Sequence, residues 1–225
     1  MSRELHDHYF KMAKREGYLA RAAYKLLEIN ERRRIFRRGQ NVIDFGSAPG
    51  SWLQVASKKV TSSGNVVGVD LSEVHHTFCD GNVTCFVDDV FTMKPDVALA
   101  ALPSSASQNR RFDVVLSDMA PKTTGDAAID HHGSIHLCDA VLGHCHKLLI
   151  PNGTLVMKVF EGEASPDLMK RVRACFDHTK GFKPKASRSN SREMYIIASG
   201  YTDEPTPPQA QALPPIPKMP SGWGP

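Results

Sequence analysis

Residues 42–52 read VIDFGSAPGSW. A short apolar run ends at Phe45, the glycine-bounded loop Gly46–Gly50 follows, and a helix starts near Ser51. This is the strand–loop–helix unit of a parallel sheet. In open sheets of that kind a ligand binds beyond the carboxyl ends of the strands, near the switch point. Gly46 and Gly50 let the backbone approach a ligand closely, Pro49 stiffens the turn, and the next helix offers N–H groups to an anion. A dinucleotide site would show GxGxxG; here the spacing is GxxxG with Ala-Pro inside, which disfavours NAD.

The same alternation extends outward. Further strands are expected at Asn65–Leu71, Val83–Val87, Phe112–Ser117 and Thr154–Val159, with two closing strands at Phe182–Ala186 and Glu193–Ser199. Helices are expected at 4–16, 19–34, 51–60, after Pro95, at Ser134–Leu149 and from Ser165, with Ser165 as N-cap and Pro166 in the first turn. The expected fold is α/β, a mostly parallel seven-stranded sheet with helices on both faces. No helix separates the last two strands, so one of them should run antiparallel. Residues 1–202 form the folded domain; the proline-rich residues 203–225 read as a disordered tail.

Composition narrows the function classes. Hydrophobic residues make up 41% of the 225, enough for a real core. No apolar run reaches the roughly 18 residues that would suggest a membrane span. The N-terminus lacks the apolar region of a secretory signal, and the five cysteines form no CxxC pair, so an intracellular, reducing compartment is expected, mitochondrion or cytoplasm. Residues 1–38 hold 11 Lys/Arg against 5 Asp/Glu, while the remainder holds 17 against 19. A basic front end on a near-neutral body suits a polyanion, though a solvated helical face would look the same.

Several residues stand out chemically. Asp70 ends the second expected strand, where an acid can accept from ribose hydroxyls. Asp89 follows the third, placed for an adenine amino group, with Asp88 as competitor. Trp52 packs either on a ligand or in the core. Lys158 interrupts the apolar run TLVMKVF, and a lone buried lysine is costly unless paired. Asp118 ends the apolar run FDVVLS in the same way.

In seven stretches the chain resembles the FtsJ/RrmJ family of S-adenosylmethionine-dependent RNA ribose 2′-O-methyltransferases. They are YFKMAKREGY, RAAYKL, VIDFGSAPGSW, VGVDL, VLSDMAPKTTG, LIPNGTLVMKVFEGE and KPKASRSNSREMYIIASGY, in order across about residues 6–201. The resemblance implies a Rossmann-like class I methyltransferase fold with S-adenosyl-L-methionine as cofactor. It places a catalytic tetrad on Lys25, Asp118, Lys158 and Glu193, and cofactor contacts on Gly50, Trp52, Asp70, Asp89 and Asp118, beside the loop glycine Gly46. A ribose hydroxyl is a poor nucleophile at neutral pH, so alignment and proton removal are what the protein must supply. Lys158 is the expected base; burial and the charge of Lys25 would push its pKa down. An orienting role for Lys158 stays open. The chain departs from the family at Ser51, where a second glycine is usual, at Leu19–Ala20, and along 71–82.

Large-subunit ribosomal RNA, with uridine as target nucleotide, is the expected substrate. A tRNA or mRNA-cap ribose methyltransferase, or a ribosome-assembly factor with little or no methylation activity, are the alternatives. Arg32, Arg33, Arg34, Arg37 and Arg38, and a second group of Lys183, Lys185, Arg188 and Arg192, are candidate phosphate contacts. HLCDAVLGHCHK at 136–147 carries His and Cys but no paired ligand motif, so no metal is expected. His131 and His132 are expected in a loop bordering the site. The expected state is a monomer.

Overall fold

The computed structural model describes residues 2–75, 77–78, 81–103, 111–187 and 191–202. The proline-rich segment 203–225 and Arg188 lie outside the described residues. Strands β1 (Asn41–Phe45), β2 (Asn65–Asp70), β3 (Val83–Val87), β4 (Phe112–Ser117), β5 (Leu149–Phe160), β6 (Phe176–Phe182) and β7 (Glu193–Tyr201) form one sheet in the order β3-β2-β1-β4-β5-β7-β6. The pairings from β3 through β5 are parallel; β7 runs antiparallel to both of its neighbours. This is the Rossmann-like class I methyltransferase fold.

Helices α1 (Ser2–Glu16), α2 (Ala22–Arg33) and α3 (Ser51–Val60) precede β2, and α4 (Pro95–Ala100), α5 (Ala127–Leu148) and α6 (Ser165–Cys175) follow β3. Strand alternation sorts the core onto two faces. Val42, Val66, Val114, Leu116, Val156 and Ile197 pack under α2 and α3. Ile43, Phe45, Val67, Val115, Met157, Val159 and Ile196 pack under α4, α5 and α6. All of these side chains are almost fully buried. Among the described residues no helix is long and apolar enough to cross a membrane.

Three expectations need correction. The sixth strand is Phe176–Phe182, not Phe182–Ala186. Its sequence FDHTKGF is polar because it is an edge strand, so hydropathy did not mark it. Helix α5 begins at Ala127, with the Asp126 carboxylate accepting from the N–H groups of Ala128 and Ile129, so His131 and His132 are helical. Ser165 lies inside α6 rather than capping it; Ala164 is the cap residue and Ser165 Oγ accepts from the Gly162 N–H at 3.0 Å.

Candidate active site

Period-two alternation along the strands places the tetrad on one face. Asp118 is two residues past Leu116, Lys158 two past Val156, and Glu193 four before Ile197, all on the α2–α3 side. Lys158 pairs with Tyr195 across the β5–β7 ladder and Phe160 pairs with Glu193. Lys25 reaches this face from the buried side of α2.

The four side chains form two ion pairs. Lys158 Nζ lies 3.0 Å from Asp118 Oδ1 and donates to the Asp118 carbonyl at 2.5 Å. Lys25 Nζ lies 2.8 Å from Glu193 Oε1. Tyr195 joins the pairs. Its hydroxyl donates to Asp118 Oδ1 at 2.6 Å, and the Lys25 ammonium lies 5.8 Å from its ring centroid.

Burial pushes the Asp118 carboxyl up, but the ammonium charges of Lys158 and then Lys25, with the Tyr195 hydrogen bond, outweigh it and hold it below the usual range. Burial likewise raises Glu193, and the charge and hydrogen bond of Lys25 bring it below its ordinary value. Burial, then the negative charges of Asp118 and Glu193, raise the Tyr195 hydroxyl, which therefore keeps its proton and donates. Two carboxylates ionised against two amines, closed by a tyrosine, can hold a hydroxyl group and handle its proton.

The loop after β1 is ordered by its own bonds. The N–H groups of Gly46 and Ser47 donate to the Val69 carbonyl, and that of Ala48 donates to Asp70 Oδ2 at 2.9 Å. The second Asp70 oxygen accepts from the Ser72 N–H at 2.8 Å. Asp70 therefore ties the two loops together and offers a ligand only its remaining lone pairs. Gly46 has φ +76°, and a Cβ there would lie 2.4 Å from Met119 Cγ, so the position requires glycine. Gly50 has φ +113° and faces Leu19, Val74 and Phe78 at 3.2 Å from an added Cβ. The indole of Trp52 is core, donating to the Ala22 carbonyl at 2.9 Å; what Trp52 can offer a ligand is its backbone N–H in the first turn of α3. Asp88 and Asp89 share a turn: Asp88 accepts from the Asp89 N–H at 2.8 Å and Asp89 from the Phe91 N–H at 3.0 Å. Both stand beside Asp70, whose carbonyl accepts from the Asp88 N–H, with exposed Leu71 and Val87 alongside.

Two residues of the site escaped the sequence reading. Tyr195 is one. Asp44 is the other: it is fully buried in β1, and neither carboxylate oxygen has a hydrogen-bond partner among the described residues. Burial, then the charges of Asp118 and Asp70, push its carboxyl well above the usual range. A carboxylate in the apolar run VIDF carries the same signal that marked Lys158 in TLVMKVF. An orphaned acid beside the glycine loop fits a cationic ligand, as the sulfonium and ammonium of S-adenosylmethionine would provide.

The expected phosphate contacts divide. Lys183 Nζ donates to the Ser191 carbonyl and Arg192 to the Ala127 carbonyl, so both also close the loop before β7. Residues of the His- and Cys-bearing stretch 136–147 serve the fold: Cys145 donates to the Val141 carbonyl and His144 Nε2 meets the Val90 carbonyl at 2.7 Å.

The chain is similar to known proteins over most of its length. The profile of the FtsJ-like methyltransferase family matches residues 18–201. "Ribosomal RNA large subunit methyltransferase E" of Syntrophobacter fumaroxidans is 44% identical over 198 residues, covering 88% of this chain and 96% of that protein. The protein of the same name from Nitratidesulfovibrio vulgaris is 42% identical, covering 87% and 93%. Among solved structures, a Plasmodium falciparum protein described as a ribosomal RNA methyltransferase superposes with a TM-score of 0.69 at 24% identity, covering 82% of this chain and 98% of that one.

Proposed function

The chain belongs to the FtsJ-like methyltransferase family of S-adenosylmethionine-dependent enzymes, and from that we infer that it methylates a ribose 2′-hydroxyl of large-subunit ribosomal RNA, at a uridine. The observation that carries this reading is the pair of buried ion pairs, Lys158–Asp118 and Lys25–Glu193, joined by Tyr195 on one sheet face. The names of the 40%-identical relatives support the RNA class.

S-adenosylmethionine supplies a methyl group already activated on a sulfonium. Gly46, Gly50, the Trp52 N–H, Asp70, Asp89, Asp118 and the orphaned Asp44 would hold it. Lys158 faces the hydroxyl and takes its proton as the neutral amine, its ammonium having first released a proton to solvent. The Asp118 carboxylate and carbonyl fix the Lys158 amine in place. Glu193 holds Lys25, and Tyr195 keeps Asp118 aligned between the two amines. The basic stretch Arg32–Arg38 at the end of α2 would hold the RNA backbone, with binding that weakens steeply in salt.

The test is transfer of labelled methyl to large ribosomal subunits, beside isolated ribosomal RNA and tRNA, followed by digestion to locate the label. Ribose label on ribosomal RNA that falls by about 10²–10⁴-fold in Lys158→Ala is expected. Label on a base, or only on tRNA, would overturn the reading.

A further inference from the structure

Strand β4 ends while β5 still has three residues to run. The two strands pair up to Ser117 and Met157, and among the described residues only β7 remains as strand neighbour from Lys158 to Phe160. Backbone groups of alternate residues point to the same strand edge, so Lys158 and Phe160 turn theirs toward the place β4 has left. That edge is met by side chains of α5. Cys138 Sγ donates to the Lys158 carbonyl at 3.1 Å. Ser134 Oγ accepts from the Phe160 N–H at 3.0 Å and donates to the His131 carbonyl at 2.7 Å. His131 Nδ1 donates to the Phe160 carbonyl at 2.6 Å while its Nε2 accepts from the Ala164 N–H at 3.0 Å. A backbone N–H can only donate and a carbonyl can only accept, so these partners fix the neutral Nδ1–H tautomer.

Residues 131, 134 and 138 fall on one stripe of the helix, at i, i+3 and i+7. His131 and Ser134, each 2% exposed, are confined to the turns of α5 beside the unpaired edge; farther along, the buried residues are Val141, Leu142, Cys145 and Leu148. The His131 ring also fills the space over Gly162, where an added Cβ would lie 2.5 Å from the ring. The row thus grips both ends of the turn that follows Lys158.

We propose that His131, Ser134 and Cys138 act as a substitute strand that positions Lys158 for the reaction. This rests on the reading of Lys158 as the proton acceptor. None of the three touches a reacting atom; they are positioning residues. They complete the ladder that β4 abandons, so the end of β5 is held on both edges. Without them Lys158 would keep its partners in Asp118 but on a strand end free to shift, and a displacement of about 1 Å at a reacting group is enough to lose roughly 10²-fold in rate.

The test measures kcat and KM for large ribosomal subunits, S-adenosylmethionine affinity by calorimetry, and thermal melting. The proteins are wild type, Lys158→Ala, His131→Leu, His131→Gln and Ser134→Ala. His131→Leu is expected to lose at least about tenfold in kcat, with KM and cofactor affinity within about twofold. Gln, which carries one N–H donor and one oxygen acceptor, should restore most of kcat. The proposal is overturned if His131→Leu keeps kcat within about twofold while Lys158→Ala is inactive. It is also overturned if the loss tracks weakened cofactor binding, or if Gln restores nothing. Should His131→Leu not fold, Ser134→Ala decides: a lower kcat at unchanged KM supports the row, and an unchanged kcat overturns it. Failure of the underlying reading shows elsewhere, as an active Lys158→Ala or an inactive wild type, and removes the proposal with it.

Discussion

Replacing Asp44 by asparagine should make the ligand-free protein more stable and the cofactor bind more weakly. Asp44 is fully buried, its oxygens have no hydrogen-bond partner among the described residues, and its carboxyl is pushed well above the usual range. In the unfolded chain an aspartate titrates at about 3.9. With the folded value raised, folding takes up a proton. The group therefore does not oppose folding below about pH 4, and opposes it increasingly as pH rises, until the folded carboxyl itself ionises. Holding an ordinary carboxyl protonated at pH 7 takes roughly 4 kcal/mol, which is the ceiling on the penalty there. Asparagine keeps the shape without the charge but leaves an amide unpaired, worth about 1–3 kcal/mol. The expected net gain for Asp44→Asn is at most about 1–3 kcal/mol at pH 7, vanishing or reversing near pH 4. Glu193 titrates in both proteins and drops out of the difference. Urea unfolding at the two pH values measures it. Repeating the pH 7 series with S-adenosylmethionine should reverse the order, because the bound cation would meet Asp44 and not the amide; hydrogen bonds to charged groups are worth about 1.5–3 kcal/mol, or at least tenfold in Kd. A variant less stable than wild type at pH 7, a gain that ignores pH, or an unchanged Kd would each refute the reasoning.

Tyr195→Phe removes a buried hydroxyl that donates to the ionised Asp118, and should cost about 1.5–3 kcal/mol in denaturant unfolding, with lower kcat. Lys25→Met and Glu193→Gln each leave one member of a buried pair alone and should each destabilise by about 3–5 kcal/mol; in a double-mutant cycle the double variant should lose clearly less than the sum. Because the folded values of Asp118 and Glu193 are depressed, their contribution is fully present above about pH 4 and lost as pH falls through the folded values. Acid unfolding should therefore be steeper in wild type than in the double variant Asp118→Asn, Glu193→Gln.

The parts of the fold that were legible are those whose burial shows in the sequence. The five-residue strand β1 is buried throughout and ends at a glycine that only a positive φ explains. Lys158 and Asp118 were conspicuous because each carries a charge into an apolar strand. Lys25 and Glu193 were not: on a helix and at a strand start, local sequence makes them ordinary surface residues, and only the resemblance marked them. Strand β6 hid because an edge strand needs no apolar pattern. The start of α5 hid because the turns before Ser134 carry Asp130 and His131, which read as loop. Their polar atoms are used against Thr124 and against the end of β5, and that is a tertiary fact. Asp44 carries a charge into the apolar strand VIDF as Lys158 does into TLVMKVF, and the same signal marks it.

The reversal of β7 is what lets the tetrad exist. In a parallel sheet every strand brings its carboxyl end to the binding edge, as β4 does with Asp118 and β5 with Lys158. Strand β7 brings its first residue instead, because it runs the other way. Were it parallel, Gly200 and Tyr201 would occupy that edge and Glu193 would lie eight residues off, roughly 26 Å at strand spacing. Lys25 would then be a buried ammonium without its partner. Register matters as much as direction. Glu193 and Tyr195 share a face only because they are two apart, and a slip of one residue would present Met194 and Ile196 to Lys158 and turn both functional side chains into the opposite core. Ile197 and Tyr195 under α2 and α3, against Ile196 and Ala198 under α5 and α6, fix that register on both sides. The two ion pairs are thus held in register by the core alternation of a single antiparallel strand.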